Sequence, residues 1–552
     1  MAVLFLALIR VPFNMSPQES SAPLPLGELP RNLLFSWLRM TAAYLASLVF
    51  SILIGSLAAT NERRSKILLP VIDVLQSVPI LGFFPTAIYW FVRMGGQQVG
   101  IEMAVIFLIF TCQSWNLVFA VYDSIKNIPE ESLQAARSLG LGELALFRTL
   151  YLPAAFPRLV DNSVLSWANG WYFLMASEII ALGSLSYQVS GVGSFLQNAL
   201  DHGIWSHAII GIAGLVAVII SMDALLWRPL RALSQQFRFE SSKRESTESG
   251  TGENMLNFYR HSWSMIPLRA FLYRMYRAWL VIERFFQPPT ERGIQLTAGW
   301  KWGATSSLAL FWSALTGIGI FALIALGKSV IPPWSISPLT VFASILVSGS
   351  RIVLAYLVSL LWILPLVYWA HRNPKWLRWL QSSAQVAASI PATAFFPLII
   401  LAVMKTSGMI EIAVMLLLMT GMQWYLLFNI LGGAAALPND IREVGESLGI
   451  KKKLYIKRIF LPSIVTALVT GSITAVGGGW NALIIAEYSK AGSHPYSVFG
   501  VGSILNKATF ETGDEKLLSL SLLLMVSFIV FLNRFFWQPI YRWSEKKFRL
   551  EG

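Results

Sequence analysis

Stretches apolar enough to cross a lipid bilayer recur along this chain, and they fix the class of fold. They lie near 41–60, 68–92, 101–122, 158–183, 207–227, 302–326, 341–370, 383–404, 409–431, 463–487 and 516–537. A span needs about 20 such residues. Lipid offers no partner for a backbone N–H or C=O, so each stretch must satisfy its backbone internally, as a helix. Only 13% of the 552 residues are charged and 55% are hydrophobic, whereas soluble domains carry about 25% charged residues. The expectation is an all-α polytopic membrane protein of eleven or twelve spans.

Charge sets the orientation. The net charge is +14, which fits basic residues gathered in cytoplasmic loops. The short basic loops Asn61 to Lys66, His371 to Lys375 and Lys451 to Lys453 are therefore expected in the cytoplasm, with both termini. The loops near Gly95-Gly96 and from Gly191 to Ser206 fall outside. No soluble basic module is present, which argues against nucleic acid as a partner and leaves the lipid bilayer as the surroundings. The single cysteine, Cys112, excludes an internal disulfide. No His/Cys cluster has metal-ligand spacing, and no cofactor is expected. Gly327-Lys328-Ser329 ends like a phosphate-binding loop, but Ala322 stands where its first glycine belongs. Residues 241–254 are polar and read as a flexible linker. Residues 264–287 place apolar and basic residues at helical spacing, as an interfacial helix or an extra packed one. The apolar residues 1–13 are too short to span and lack the basic start of a signal peptide.

The chain also repeats itself. Pro129 and Pro438, Gly140 and Gly449, Pro153 and Pro462, Trp171 and Trp480, Glu178 and Glu487, and Gly191 and Gly500 are all 309 residues apart. Upstream the offset is 312: Arg39 with Arg351, Tyr44 with Tyr356, Pro79 with Pro391. One unit has been duplicated with few insertions, giving a half at 1–230, a cytoplasmic linker at 231–300 and a second half at 301–552. Both copies keep their basic loops on one side. The repeat is therefore parallel and builds a pseudo-two-fold axis along the membrane normal, around a central pathway. The first helix of half one has no full counterpart to 302–326. It is truncated, or the true start lies upstream of Met1.

Each half carries a long basic-side loop. Half one reads from Pro129 through Glu131, Gln134, Ala135, Ala136 and Gly140 to Leu152-Pro153; half two reads from Pro438 through Glu443, Val444, Gly445 and Gly449 to Leu461-Pro462. Proline starts a helix where its missing N–H costs nothing, acids sit in the first turn where the macrodipole favours them, and glycine ends it. Small residues leave a low surface that another protein can approach.

This pattern resembles the EAA loop of ABC importer permeases: acidic-Ala-Ala, three residues, Gly, then hydrophobic-Pro. The resemblance implies a helix docked on a cytoplasmic ATPase subunit, present as two copies or a heterodimer, and an extracytoplasmic solute-binding protein. ATP hydrolysis would then belong to another chain. Half one departs with Gln134 at the acidic position, and half two with Val444-Gly445 for Ala-Ala. Ser77-Val78-Pro79 with Phe84-Pro85, Ser389-Ile390-Pro391 with Phe396-Pro397, Ala176-Ser177-Glu178, Ala486-Glu487 and the two Gly-Val-Gly turns are similar to the nitrate/sulfonate/taurine group of type I permeases. That likeness implies uptake of a small solute, an anion such as nitrate, a sulfonate, taurine or bicarbonate.

Several residues are candidates for the pathway. Glu178 and Glu487 are ionisable groups late in the fifth spans: either functional charges or carboxylates that bond backbone amides of the glycine turn that follows. Arg39, Arg351, Arg93 and Lys405 run against the positive-inside bias, as an electropositive mouth that steers anions or as chains snorkelling to headgroups. Pro79, Pro85, Pro391 and Pro397 are expected to kink the third spans. Trp115 and Trp424 fit core packing or a pathway gate. The rival to an ATP-driven importer is a secondary transporter of two six-helix repeats, but that needs charges at mid-span, which are almost absent.

Overall fold

The structure is a computed structural model that describes residues 23–179, 189–237, 332–389, 391–406, 410–435, 437, 447, 450–491 and 494–548. Half of the duplication begins with α1 (Leu29–Ala59), α2 (Glu62–Ser77) and α3 (Ile80–Lys126). Then come α4 (Glu130–Ser138), α5 (Leu152–Ile179), α6 (Val192–Asp201) and α7 (Trp205–Met222). The second half has α8 (Pro338–His371), α9 (Pro374–Ser389), α10 (Phe396–Thr406) and α11 (Ile410–Ala435). It continues with α12 (Leu461–Ala486), a short antiparallel hairpin (Tyr488–Ala491 with His494–Ser497), α13 (Val501–Phe510), α14 (Glu515–Leu532) and α15 (Gln538–Phe548). Helix boundaries repeat in the same register as the residues. The span α2 maps onto α9 at an offset of 312, and α6 onto α13 at 309. Among the described residues, seven helices are long and apolar enough to cross a membrane.

Residues 1–221 and 334–552 form one compact unit, so the described parts of both repeats pack together; residues 222–333 form another. In that second unit a wide π turn (Asp223–Trp227) leads into a helix at Arg228–Ser234. The expected helices at 264–287 and 302–326, and most of the expected linker, lie outside the described residues.

Proline places the breaks. The stretch 68–92 was expected as one kinked span, but it is two helices. Residue Val78 is driven to an extended conformation (ψ 125°), because the ring of Pro79 crowds the residue before it. Pro79 then opens α3 and Pro391 opens the equivalent turn at Ala392–Phe395. Pro79 and Pro391 therefore end one helix and start the next instead of kinking a continuous one. The prolines Pro85 and Pro397 lie inside the helices that follow. Elsewhere proline is accommodated by widening. The π turns Phe147–Tyr151, Ile456–Phe460 and Asn533–Trp537 each stop two residues short of a proline: Pro153, Pro462 and Pro539. The carbonyl four residues before each proline, which a regular helix would push into the ring, falls inside the wide turn.

A second kind of break is glycine's. Gly96 sits at φ 73° inside α3, a conformation open to glycine and costly for other residues. The chain reverses there, and the two arms of α3 meet so closely that a side chain at Gly100 would collide with the backbone of Phe91 and Val92. Replacing Gly100 by Val is expected to destabilise the detergent-solubilised chain by about 1–3 kcal/mol or more, read as a lower thermal unfolding midpoint. The same change at Gly27, where nothing lies within 4 Å, is expected to leave the midpoint unmoved.

Candidate translocation pathway and coupling helix

Among the described residues each half holds an ion cluster built on the same registers, buried in half one and partly exposed in half two. In half one, the guanidinium of Arg39 on α1 grips Glu102 on α3 with two donors, Nε and Nη2, each at 2.6 Å. Its Nη1 donates to Glu178 at the end of α5 (2.9 Å) and to the Ser190 carbonyl (2.8 Å). Glu178 also accepts from Ser36 Oγ (2.8 Å) and from the Gly193 amide (2.9 Å). Ser36 in turn accepts from the Val192 amide (2.9 Å). In half two, Arg351 binds Glu411 (2.9 and 2.7 Å) and Glu487 (2.7 Å) and donates to the Phe499 carbonyl (2.8 Å). Glu487 accepts from Ser348 (2.7 Å) and the Gly502 amide (2.8 Å). A side chain at Gly191 or Gly500 would occupy the space of that carboxyl, which is why the turn is Gly-Val-Gly in both halves.

These clusters decide several sequence expectations. Glu178 and Glu487 bond the amides of the glycine turn. Arg39 and Arg351 do not form a free electropositive mouth: Arg39 is wholly buried, and Arg351 is divided between two carboxylates. The correction has a physical cause. An arginine inside the membrane is stable only when paired and hydrogen-bonded, and carboxylates on two neighbouring helices, α3 and α5, supply that pairing for Arg39. Arg93 is exposed beside the break at Gly96. The backbone of Lys405 lies near the end of α10, and its side chain is outside the described part. Sequence reading missed Glu102, Glu411, Ser36 and Ser348. The signal was available, since Glu102 and Glu411 are 309 apart and Ser36 and Ser348 are 312 apart.

A cavity of about 1050 Å³ lies on the seam between the halves. Much of its wall comes from matched positions, Trp115 and Trp424, Phe119 and Phe428, Asn116 and Tyr425, Tyr172 and Asn481, while half two alone adds Ile529, Trp537, Arg542 and Glu545. Trp115, Trp424 and Pro391 are thus in the cavity wall, and Ile80, next to Pro79, is beside them; Arg39, Glu178, Arg351 and Glu487 are not. Hydrogen bonds cross the seam. Tyr425 Oη donates to Asn169 Oδ1 (3.0 Å), and Thr393 Oγ1 to the Tyr172 carbonyl (3.1 Å). The amide of Ile80 donates to Asn481 Oδ1 (2.7 Å). Pro79 has no side chain that can cap the helix it begins, so a residue of the other half caps it.

The helix α4 is the described member of the two matched loops. It starts after Pro129 with Glu130 and Glu131 in its first turn. At its end Gly140 takes φ 72°, with its amide on the Arg137 carbonyl (2.9 Å) and the Leu141 amide on the Ala136 carbonyl (3.3 Å). That pair of bonds is a Schellman ending and needs a left-handed residue. Leu133 and Ala136 pack against the cluster of Leu117, Val121 and Leu146. Glu131, Gln134, Ala135 and Ser138 are exposed, one turn apart on the outer face, and Leu139 is 80% exposed. Of the Ala-Ala pair, Ala135 alone faces outward. Pro153 is the second residue of α5, and Pro462 the second of α12. Glu443, Val444, Gly445 and Gly449 lie outside the described residues.

Residues 51–228 and again 364–550 match the family described as "Binding-protein-dependent transport system inner membrane component", once in each half of the duplication and over about two thirds of the chain. The chain belongs to that family. It is a multi-pass membrane protein with two tandem copies of that family's unit, as the duplicated registers imply. It is 26% identical over 185 residues to the nitrate import permease protein NrtB of Leptolyngbya laminosa, covering 33% of this chain and 62% of that protein. It is 28% identical over 207 residues to the taurine transport system permease protein TauC of Escherichia coli (strain K12), covering 37% of this chain and 69% of that protein. The bicarbonate transport system permease protein CmpB of Synechococcus elongatus is 24% identical over 185 residues, 34% of this chain and 62% of that protein. The chain thus spans about 62% of the length of the nitrate and bicarbonate relatives.

The ion clusters make a testable difference between the halves. Removing one partner of a buried ion pair costs about 3–5 kcal/mol, because the other charge is left uncompensated. Arg39→Met strands Glu102 and Glu178, whose side chains are 3% and 0% exposed. Arg351→Met strands Glu487, but Glu411 is 56% exposed and remains hydrated. Thermal unfolding in detergent is expected to show a clearly larger drop for Arg39→Met than for Arg351→Met.

Proposed function

We propose that this one chain supplies both permease halves of an ATP-driven importer, and that the seam cavity is part of its translocation pathway. The observation that carries this is the partly pseudosymmetric cavity: much of its wall comes from the same positions of two copies of one unit, between halves where a pathway must run. The short basic loops support a cytoplasmic position for α4 and for both termini. There its exposed face, Glu131, Gln134, Ala135 and Ser138, is the docking surface for an ATPase subunit that another chain provides. The loop with Glu443, Val444, Gly445 and Gly449 does the same for half two. An extracytoplasmic solute-binding protein delivers the cargo to the opposite side. The names of the relatives, which move nitrate, taurine and bicarbonate, support a small solute with an anionic group.

Docking depends on the shape of α4 more than on its charge. Half one has Gln134 at the position where an acid is expected, so the contact there is a neutral hydrogen bond, worth about 0.5–1.5 kcal/mol. Gly140→Val forces a branched residue into a left-handed helix end, and Ala135→Trp puts bulk on the exposed face. Both are expected to abolish co-purification with the ATPase subunits and solute-stimulated ATP hydrolysis. Gln134→Ala is expected to weaken them only a few-fold. Retained coupling in Gly140→Val and Ala135→Trp would rule out docking through α4.

A further inference from the structure

Resting on the reading of the seam cavity as the pathway, we propose that it binds an organic solute with a flat apolar body, lodged between Trp115 and Trp424. The solute's polar head is hydrogen-bonded by hydroxyls and carboxamides rather than paired with a fixed cation. Size is the first support. At about 1050 Å³ the cavity is at the top of the range, roughly 300–1,000 Å³, that holds drug-sized ligands. An inorganic oxyanion of a few heavy atoms would leave nearly all of it to water.

The walls are the second support. Aromatic rings line both sides of the seam at matched positions, Trp115 with Trp424 and Phe119 with Phe428, and Tyr172 and Tyr425 add two more. Flat ring systems favour stacked or edge-on contact with such faces. A small hydrated anion gains nothing from them and loses water beside them.

Charge is the third. Among the described residues that line the cavity, Arg542 is the sole Lys, Arg or His, and Asp73 and Glu545 line the same cavity. The membrane arginines that could have served an anion, Arg39 and Arg351, are committed to the carboxylates of the ion clusters. What the cavity does offer is uncharged: Asn116, Asn169, Asn481 and Thr420. The head group's charge is not specified by these donors. Sulfonate, carboxylate and amide share the same acceptor chemistry.

The test uses the full chain in lipid nanodiscs, titrated by calorimetry with benzenesulfonate, benzamide, nitrate and taurine. Benzenesulfonate and benzamide are expected to bind saturably. Trp115→Leu and Trp424→Leu are each expected to weaken that binding about tenfold, and Trp379→Leu, on the exposed surface of α9 and away from the cavity, to leave it unchanged. If either indole variant loses its monodisperse elution, Phe119→Leu, which removes one aromatic face of the wall, takes its place and is expected to weaken both probes. Three results would overturn the proposal: tighter binding of nitrate or taurine than of the aromatic probes, aromatic binding indifferent to all the cavity variants, or no saturable aromatic binding. None of these touches ATPase docking, so failure here is separable from failure of the importer reading.

Discussion

The buried ion cluster at the end of the fifth span is the constraint on which the rest of each half depends. A guanidinium in the membrane must have its donors filled, and Arg39 fills them with carboxylates on α3 and α5 and the carbonyl of Ser190. Three helices, α1, α3 and the end of α5, and the start of α6 are thereby fixed to one point. Glu178 then accepts from the glycine turn, and Ser36 closes the circuit through the Val192 amide. Breaking any one bond leaves a buried charge or amide unpaired, so the arrangement is held as a unit. Half two repeats it with Arg351, Glu411 and Glu487, in a more exposed form.

With the helix ends fixed, the seam between halves can remain loosely filled. Among the described residues its shorter hydrogen bonds, Tyr425 to Asn169, Thr393 to Tyr172 and Ile80 to Asn481, join uncharged groups, and one long bond (3.5 Å) runs from Gln538 to the Asp73 carboxylate. Each contributes about 0.5–1.5 kcal/mol net, whereas removing one partner from the buried Arg39 cluster costs about 3–5 kcal/mol. Such a division suits a protein whose halves move relative to one another as rigid bodies. The strong contacts lie within a half and the weak ones between halves. The breaks at Pro79 and Pro391 serve the same end, since each starts a helix whose first residue reaches the cavity.

Much of this was legible in the sequence. Periodic registers of 309 and 312 anticipated the paired helices, the Gly140 ending of α4 and the paired tryptophans. The register also held Glu102 and Glu411, but an acid read alone in an apolar stretch does not announce its partner; only the arrangement of three helices brings Arg39 to it. The same limit explains why Arg39 was read as a candidate outer charge. Position along a helix tells depth, and depth does not tell which face is turned inward. Proline was read as a kink at Pro79, where the extended residue before it ends the helix altogether. At Pro153, Pro462 and Pro539 the chain instead keeps its helix by widening one turn, a choice set by the packing around those turns and invisible to residue preference. The emptiness of the seam could not be read at all, because a cavity is the absence of contacts between distant residues.

The central claim is that one chain carries both halves of the pathway. Native mass spectrometry of the complex purified with its ATPase subunits tests it most directly. The account predicts one copy of the 61.5 kDa chain for every two ATPase subunits. A complex with two copies of the chain for two ATPase subunits would contradict it, because the pathway would then be built between chains and not on the seam within one.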